Sequence, residues 1–279
     1  MKRALLLVGI AALVLAGTGC KKLQSRDQLN KGVQAFKNAK YDEAIDHFNQ
    51  AVALDPTNPN ARLYLATSYF VQYIPGAESP ENLQYAKKAR DEFMRVLQQD
   101  PKDKTALQYL ASLSYQEASG TADLDSKLKQ LDDARDWYLK LIAVDPKNKE
   151  AYYSLGVIDW MKWYPRWMAA LNKQDMKPDQ PMPFKDKKIK AELAQQYGAL
   201  VDDGLKNLNA AIQIDSNYDD AMAYENLLIR ERASLADSMD QYKKDIDTAD
   251  DWVQKSLEAK KIKASKQTGT QGIVQEQSK

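Results

Sequence analysis

A three-residue stop recurs along this chain at a fixed interval, and it constrains the fold more than any other feature. Leu54-Asp55-Pro56, Gln99-Asp100-Pro101 and Val144-Asp145-Pro146 stand 45 residues apart, and Ile214-Asp215-Ser216 repeats the pattern 70 residues further on with Ser for Pro. Proline lacks an N–H and pushes the residue before it out of the helical region, so each stop ends a helix. Ahead of each stop, apolar or small residues are spaced by three and four. They are Ala44, Phe48 and Ala51; Ala86, Ala89, Phe93 and Val96; Leu131, Ala134, Tyr138 and Leu141; Val201, Gly204, Leu208 and Ala211. That spacing puts each set on one face of a helix. A second amphipathic stretch follows each stop, over 61–71, 106–115, 151–160 and 221–232. Strand signals are absent. The periodicity therefore predicts an all-α chain of repeated helix–turn–helix units, each burying its apolar face against a neighbour.

The pattern resembles the tetratricopeptide repeat (TPR), a helix–turn–helix of about 34 residues. Residues 25–58 match at full length, with Gly32, Tyr41, Ala44, Phe48, Ala51 and Pro56 in place. Residues 59–103, 104–148, 149–218 and 219–262 match with insertions or decay. The resemblance implies a right-handed TPR solenoid of about five repeats over 25–263. It also implies that the first helix of each repeat lines a concave groove. Carried over position by position, the groove holds Phe36, Phe70, Tyr115, Tyr153, Trp160 and Met161, with Leu227, Arg230 and Glu231 in the last repeat. Phe36, Phe70, Tyr115 and Trp160 fall at equivalent places in four successive repeats. Such a ladder would grip an extended or helical peptide by apolar contact, or its rings would fill space between adjacent first helices. The groove has no cluster of Lys or Arg. It therefore lacks the carboxylate clamp by which some chaperone-binding members of the family hold C-terminal peptides.

The extra residues of repeats two to four fall at the turns inside each repeat, around 74–80, 117–126 and 162–197, so they are expected to widen one edge. Ser79-Pro80-Glu81 is a helix start, with a capping hydroxyl and Pro in the first turn. Residues 187–214 read as one long helix, weakened at Gly198 and Gly204. Residues 160–184 hold three of the five Trp, four of the eight Met and four of the ten Pro. Two readings follow. Trp163, Tyr164, Trp167 and Met168 form an interaction surface, since exposed apolar patches mark binding sites; or Trp163, Trp167 and Met168 pack back as a satellite core. Pro178, Pro181 and Pro183 suggest an extended segment laid over helices.

The start of the chain carries an address. Met1-Lys2-Arg3 is basic, residues 4–16 are an apolar run of 13, and Gly17-Thr18-Gly19-Cys20 closes it with small residues. This is the layout of a secretory signal, too short for a span of about 20 apolar residues. The single Cys of the protein stands where the signal ends. The arrangement resembles a bacterial lipoprotein signal, with the departure that Gly17 stands where that class prefers Leu. The resemblance implies cleavage of 1–19, acylation of Cys20, and a short tether over 20–24. It places the protein in the cell or outer membrane, lipid-anchored and facing the periplasm. The other end, 264–279, is rich in Gln, Ser, Lys, Thr and Gly and reads as a disordered tail.

Composition narrows the chemistry. Forty Lys and Arg against 39 Asp and Glu give a net charge of +1, so there is no electrostatic case for nucleic acid. One Cys and one His cannot furnish a zinc site, and no metal or cofactor is expected. The sequence contains no G-x-x-x-x-G-K-[ST], G-x-G-x-x-G, H-E-x-x-H, G-x-S-x-G or C-x-x-C. His47 reads as a surface residue on the second helix, and no catalytic residue is expected. Asp159, directly before Trp160, reads as partly buried. These observations point to a non-enzymatic scaffold that binds protein or peptide partners in the cell envelope, in assembly of an outer-membrane or secretion complex. An adaptor for an envelope hydrolase or protease, or a peptide or small-molecule receptor with Trp160, Trp163 and Trp167 lining a pocket, are the alternatives.

Overall fold

The computed structural model describes residues 2–179 and 182–276, with side chains described for 20–179 and 182–266. Among the described residues ten α-helices follow one another: α1 Lys2–Lys37, α2 Tyr41–Leu54, α3 Pro59–Gln72, α4 Pro80–Gln99, α5 Lys104–Gly120, α6 Leu124–Val144, α7 Lys149–Asn172, α8 Lys187–Ile214, α9 Asp219–Arg232 and α10 Met239–Glu276. One 3-10 turn, Ala233–Leu235, follows α9. Among the described residues there is no strand.

The recurring Asp-Pro stop builds the same turn each time. The Asp closes the preceding helix, and its carbonyl accepts the N–H three residues on: Asn58 to Asp55, Asp103 to Asp100, Asn148 to Asp145 and Tyr218 to Asp215, at 3.0–3.1 Å. The Asp side chain also folds over the turn, accepting from the N–H two residues on at Thr57, Lys102 and Asn217. The residue three after the Asp then caps the next helix. Asn58 accepts from Asn60 and Ala61, Asp103 from Ala106, and Asn148 from Ala151. At the fourth stop that position is Tyr218, and no side chain caps α9. One four-residue motif thus terminates one helix and starts the next.

The chain divides into two compact units, Met1–Trp137 and Tyr138–Lys279, with the division inside α6. In the first unit α1 packs on α2, α2 on α3, α3 on α4 and α4 on α5, and the first helices α1, α3 and α5 touch in sequence. Ala44, Phe48, Ala66, Ala89, Phe93, Ala106, Leu110 and Leu113 are wholly buried. The small residues let the helices close: a Cβ on Gly32 would stand 2.5 Å from the Phe48 ring. Arg62 and Glu92, both buried, join α3 to α4 by an ion pair of 2.5 Å, and Arg95 holds the same carboxylate. In the second unit α7 packs on α8, α8 on α9, α9 on α10, and α7 reaches α9. Val201, Leu208, Ala211, Ala221, Leu228 and Ala249 form its buried centre.

Most of the inserted length becomes helix. The second helices grow from 14 residues in α2 to 20 in α4, 21 in α6 and 28 in α8. Helix α4 begins at the Ser79-Pro80 start and α8 spans Lys187–Ile214, as the sequence predicts. Two insertion turns of the first unit meet each other. Gly76, at φ +80°, packs so tightly on Gly120 that a Cβ on Gly120 would stand 2.4 Å from the Gly76 nitrogen. Asn82 ties this loop down, accepting from Ile74 N–H at 2.7 Å and donating to the Ile74 and Ala77 carbonyls at 2.8 and 2.7 Å.

Three boundaries differ from the sequence reading. Helix α7 does not end near residue 160; it runs 24 residues to Asn172, straight through Pro165. An interior proline costs about 3 kcal/mol, and the extension offsets that by burying Trp163, Trp167, Ala170 and Leu171. Residues 2–24 form one helix with the start of the repeat body, so the tether segment is helical. Helix α10 runs from Met239 to Glu276, through the segment read as a disordered tail. Among the described residues no helix is long and apolar enough to cross a membrane.

Candidate functional site

The groove residues of the first unit fill space between helices. Phe70 of α3 meets Tyr109 of α5 edge-on at 5.0 Å, and Tyr109 stacks on Phe93 at 5.0 Å. Phe36 meets Tyr41 of its own repeat edge-on at 5.4 Å. Tyr115 is half-buried on α5. Phe36 and Phe70 both pack against the core cluster as partly exposed rings. Phe36 thus meets a ring of its own repeat and Phe70 a ring of the next, Tyr109, which the repeat spacing did not single out.

The second unit holds a continuous aromatic face. Positions 153, 160, 164 and 167 form a stripe along α7. Tyr153 packs against Tyr218 at 5.2 Å and Tyr224 at 5.8 Å. Tyr224 meets Trp160 at 5.3 Å, Trp160 meets Tyr164 at 4.9 Å, and Tyr164 meets Trp167 at 5.9 Å. Tyr153, Trp160, Met161, Tyr164 and Met168 are half-buried, so the stripe is rooted in the core and open on its outer side. Trp163 and Trp167 are not surface residues. They are 0 % and 4 % exposed, and Trp167 donates to the Ser234 hydroxyl at 3.1 Å. Both pack inward within the buried cluster of the second unit. Phe184, also buried, donates its N–H to the Ser234 carbonyl, laying the end of the proline-bearing segment over the 3-10 turn. Pro181 lies outside the described residues.

Behind the stripe lies a carboxyl that periodicity did not mark. Glu231, read as groove-facing, is 4 % exposed, and its Oε1 accepts the Trp160 indole N–H at 2.9 Å. The Trp163 indole N–H faces the same carboxyl without closing a hydrogen bond of normal geometry. Burial pushes Glu231 up to about 8, against the lowering pull of the two indoles. Glu225, on the same helix, is pushed by burial up to about 7 despite a 2.6 Å hydrogen bond from Asn209 and the nearby charge of Arg232. Asp159 is fully buried, against the α8 backbone at Gly204. Tyr218 and Tyr224 also escape the periodic pattern; they join Tyr153 from α9 and the turn before it, more than 60 residues away in sequence.

The remaining expected positions are placed as follows. Cys20 is exposed on α1. His47 is half-buried, with Nδ1 2.7 Å from Gln28 Oε1. Among the described residues no group of three or more His, Cys, Asp or Glu side chains could hold a metal ion.

The family model described as TPR repeat matches residues 35–72, from the end of α1 through α3. Among solved structures, the fold is similar to a crystal structure of MamA protein, with TM-score 0.51, 15% identity, 87% of this chain and 94% of that chain covered. It is also similar to the MamA RS-1 ArsTM double mutant, with TM-score 0.51, 15% identity, and 87% and 97% covered. A further crystal structure of MamA gives TM-score 0.50, 16% identity, and 84% and 96% covered. No curated protein matches. The match to the TPR repeat model covers residues 35–72, and the likeness to the solved structures is one of fold.

Proposed function

We propose that this protein is a non-enzymatic scaffold that holds protein or peptide partners in a bacterial cell envelope, anchored through lipid on Cys20. The observation that carries the binding half is the half-open aromatic stripe of α7 and α9. Aromatic rings that are rooted in a core and open on one side give contact area at low entropic cost. The membership of this fold in the TPR class supports the same reading, because stacked helix pairs present extended surfaces rather than enclosed clefts. Cys20 supports the anchoring half. It is exposed, it follows an apolar run of 13 residues, and it precedes the first buried residue of the repeat body, Ser25, by five positions. Acyl chains on its sulfur would bind the bilayer by about 0.8 kcal/mol per buried CH₂.

The test separates the two halves. Cys20→Ser should move the protein from the membrane to the soluble fraction; unchanged membrane retention defeats the anchor. Crosslinking in cells, followed by affinity purification and mass spectrometry, should recover a small, reproducible set of envelope proteins. Their yield should fall in a Tyr164→Ala, Met161→Ala variant that keeps its helical circular dichroism. Recovery of non-specific proteins alone, insensitive to these changes, defeats the scaffold. Assembly of an outer-membrane or secretion complex is the role we favour for it. An adaptor for an envelope hydrolase would instead co-purify with lytic activity.

A further inference from the structure

The extension of α7 past Pro165 runs beside the start of α8, and the two helices leave a cleft between them of about 240 Å³. Its walls are one stripe from each helix. Arg166, Ala169 and Ala170 come from α7 and Lys173 from the residue that closes it, and Ile189, Glu192, Leu193, Gln196 and Tyr197 come from α8. Leu193 and Ala170 are buried and make the floor; Ile189 and Tyr197 are half-buried on the sides. The α7 wall is cationic. Arg166 is half-buried and Lys173 exposed, and among the described residues neither the guanidinium nor the ammonium meets a carboxylate. The one carboxylate of the cleft, Glu192, faces Lys188 at 4.0 Å. The site is therefore an apolar slot with two uncommitted positive charges along one side.

We infer that this cleft binds a short peptide segment of a partner protein, taking an apolar side chain on the Leu193–Ala170 floor and a neighbouring carboxylate between Arg166 and Lys173. Three features select that occupant. The volume is below the roughly 300–1,000 Å³ of cavities that enclose a whole small molecule, so a protruding side chain fits. The charge on the α7 wall calls for an anion, and guanidinium pairs with carboxylate in a planar, two-pronged geometry. The cleft is also built from the insertion that sets this repeat apart, on stripes of α7 and α8 that the aromatic stripe at 153, 160, 164 and 167 does not use. The proposal rests on the scaffold reading above and specifies one of its contacts.

The experiment uses the full chain and fluorescein-labelled decapeptides in three versions. One carries Glu and Leu one helical turn apart, one has Gln for Glu, and one has Ser for Leu. Anisotropy titrations at low salt should show binding of the Glu/Leu peptide. The Gln and Ser versions should each bind about tenfold more weakly. Arg166→Glu with Lys173→Glu should abolish binding while leaving circular dichroism and thermal unfolding unchanged, because both side chains reach solvent. Gln196→Trp, which fills the slot without altering the cationic wall, should weaken binding to the same degree. Equal binding of all three peptides, no binding by any, or full binding by both variants overturns the cleft. The cellular pull-down, run in parallel on the charge-reversed variant, distinguishes the two failures. Specific partners retained by that variant would discard the cleft and leave the scaffold standing; no specific partner even with the wild type would discard the scaffold.

Discussion

Glu231→Gln is the change whose effect can be worked furthest from the structure. The carboxyl is 4 % exposed, accepts one indole N–H from Trp160, and is held up to about 8 by burial. In the unfolded chain the same group titrates near 4.5. A carboxyl with its folded value raised contributes fully below the unfolded value, and that contribution is lost as pH rises through the folded value. One pH unit of difference corresponds to about 1.4 kcal/mol. Between pH 5 and pH 8 the second unit should therefore lose on the order of 3 kcal/mol of stability through Glu231 alone. Glutamine keeps the acceptor oxygen for Trp160 and cannot ionise. Glu231→Gln should leave stability at pH 5 nearly unchanged and raise it at pH 8 by most of that amount. The assay is urea unfolding followed by tryptophan fluorescence at pH 5, 6.5 and 8, since Trp160, Trp163 and Trp167 report on this region. A residual slope from Glu225, which has the same sign and titrates near 7, should persist in the variant. If wild type and variant lose stability in parallel from pH 5 to pH 8, the buried, neutral carboxyl is not what the structure implies.

Other perturbations have equally definite outcomes. Asn82→Ala removes three hydrogen bonds that tie down the loop before α4. It should cost about 2–4 kcal/mol in denaturant unfolding and expose that loop to limited proteolysis. Gly120→Ala would drive a methyl into the Gly76 backbone and should destabilise by about 1–3 kcal/mol. Gly198→Ala, where nothing stands within 4 Å inside the long helix α8, should stabilise by about 0.5–1 kcal/mol. The two glycine changes, measured side by side by thermal unfolding, should carry opposite signs.

What was legible in the sequence was local, and what was missed was brought together by packing. The Asp-Pro stops, the Ser79 start and the full length of α8 rest on capping and periodicity within a few residues, so they could be read directly. The path of α7 could not, because the rule that proline ends a helix is outweighed by the burial of Trp163 and Trp167, and nothing within ten residues announces that burial. The aromatic ladder was half legible. Tyr153, Trp160 and Tyr164 lie on one stripe of a single helix, whereas Tyr218 and Tyr224 join them only because α9 packs against α7. The repeat resemblance, carried over position by position, put Glu231 in the groove. Whether a carboxylate one position along a helix is wet or buried depends on the neighbouring helix, and here the Trp160 indole closes over it. The cationic cleft left no trace in the sequence, since Arg166 and Lys173 look like ordinary surface charges until α8 is laid beside them.

The central claim is that the half-open aromatic stripe of the second unit is where a protein partner sits. Photo-crosslinking tests it most directly. A photoreactive amino acid is placed at Tyr153, Met161 or Tyr164 in the full chain, with Asp247, exposed on α10, as control, and adducts are identified by mass spectrometry. The account predicts one defined protein partner captured from the three stripe positions and not from Asp247. Capture of the same mixture from all four positions, or of nothing from the stripe, would contradict it.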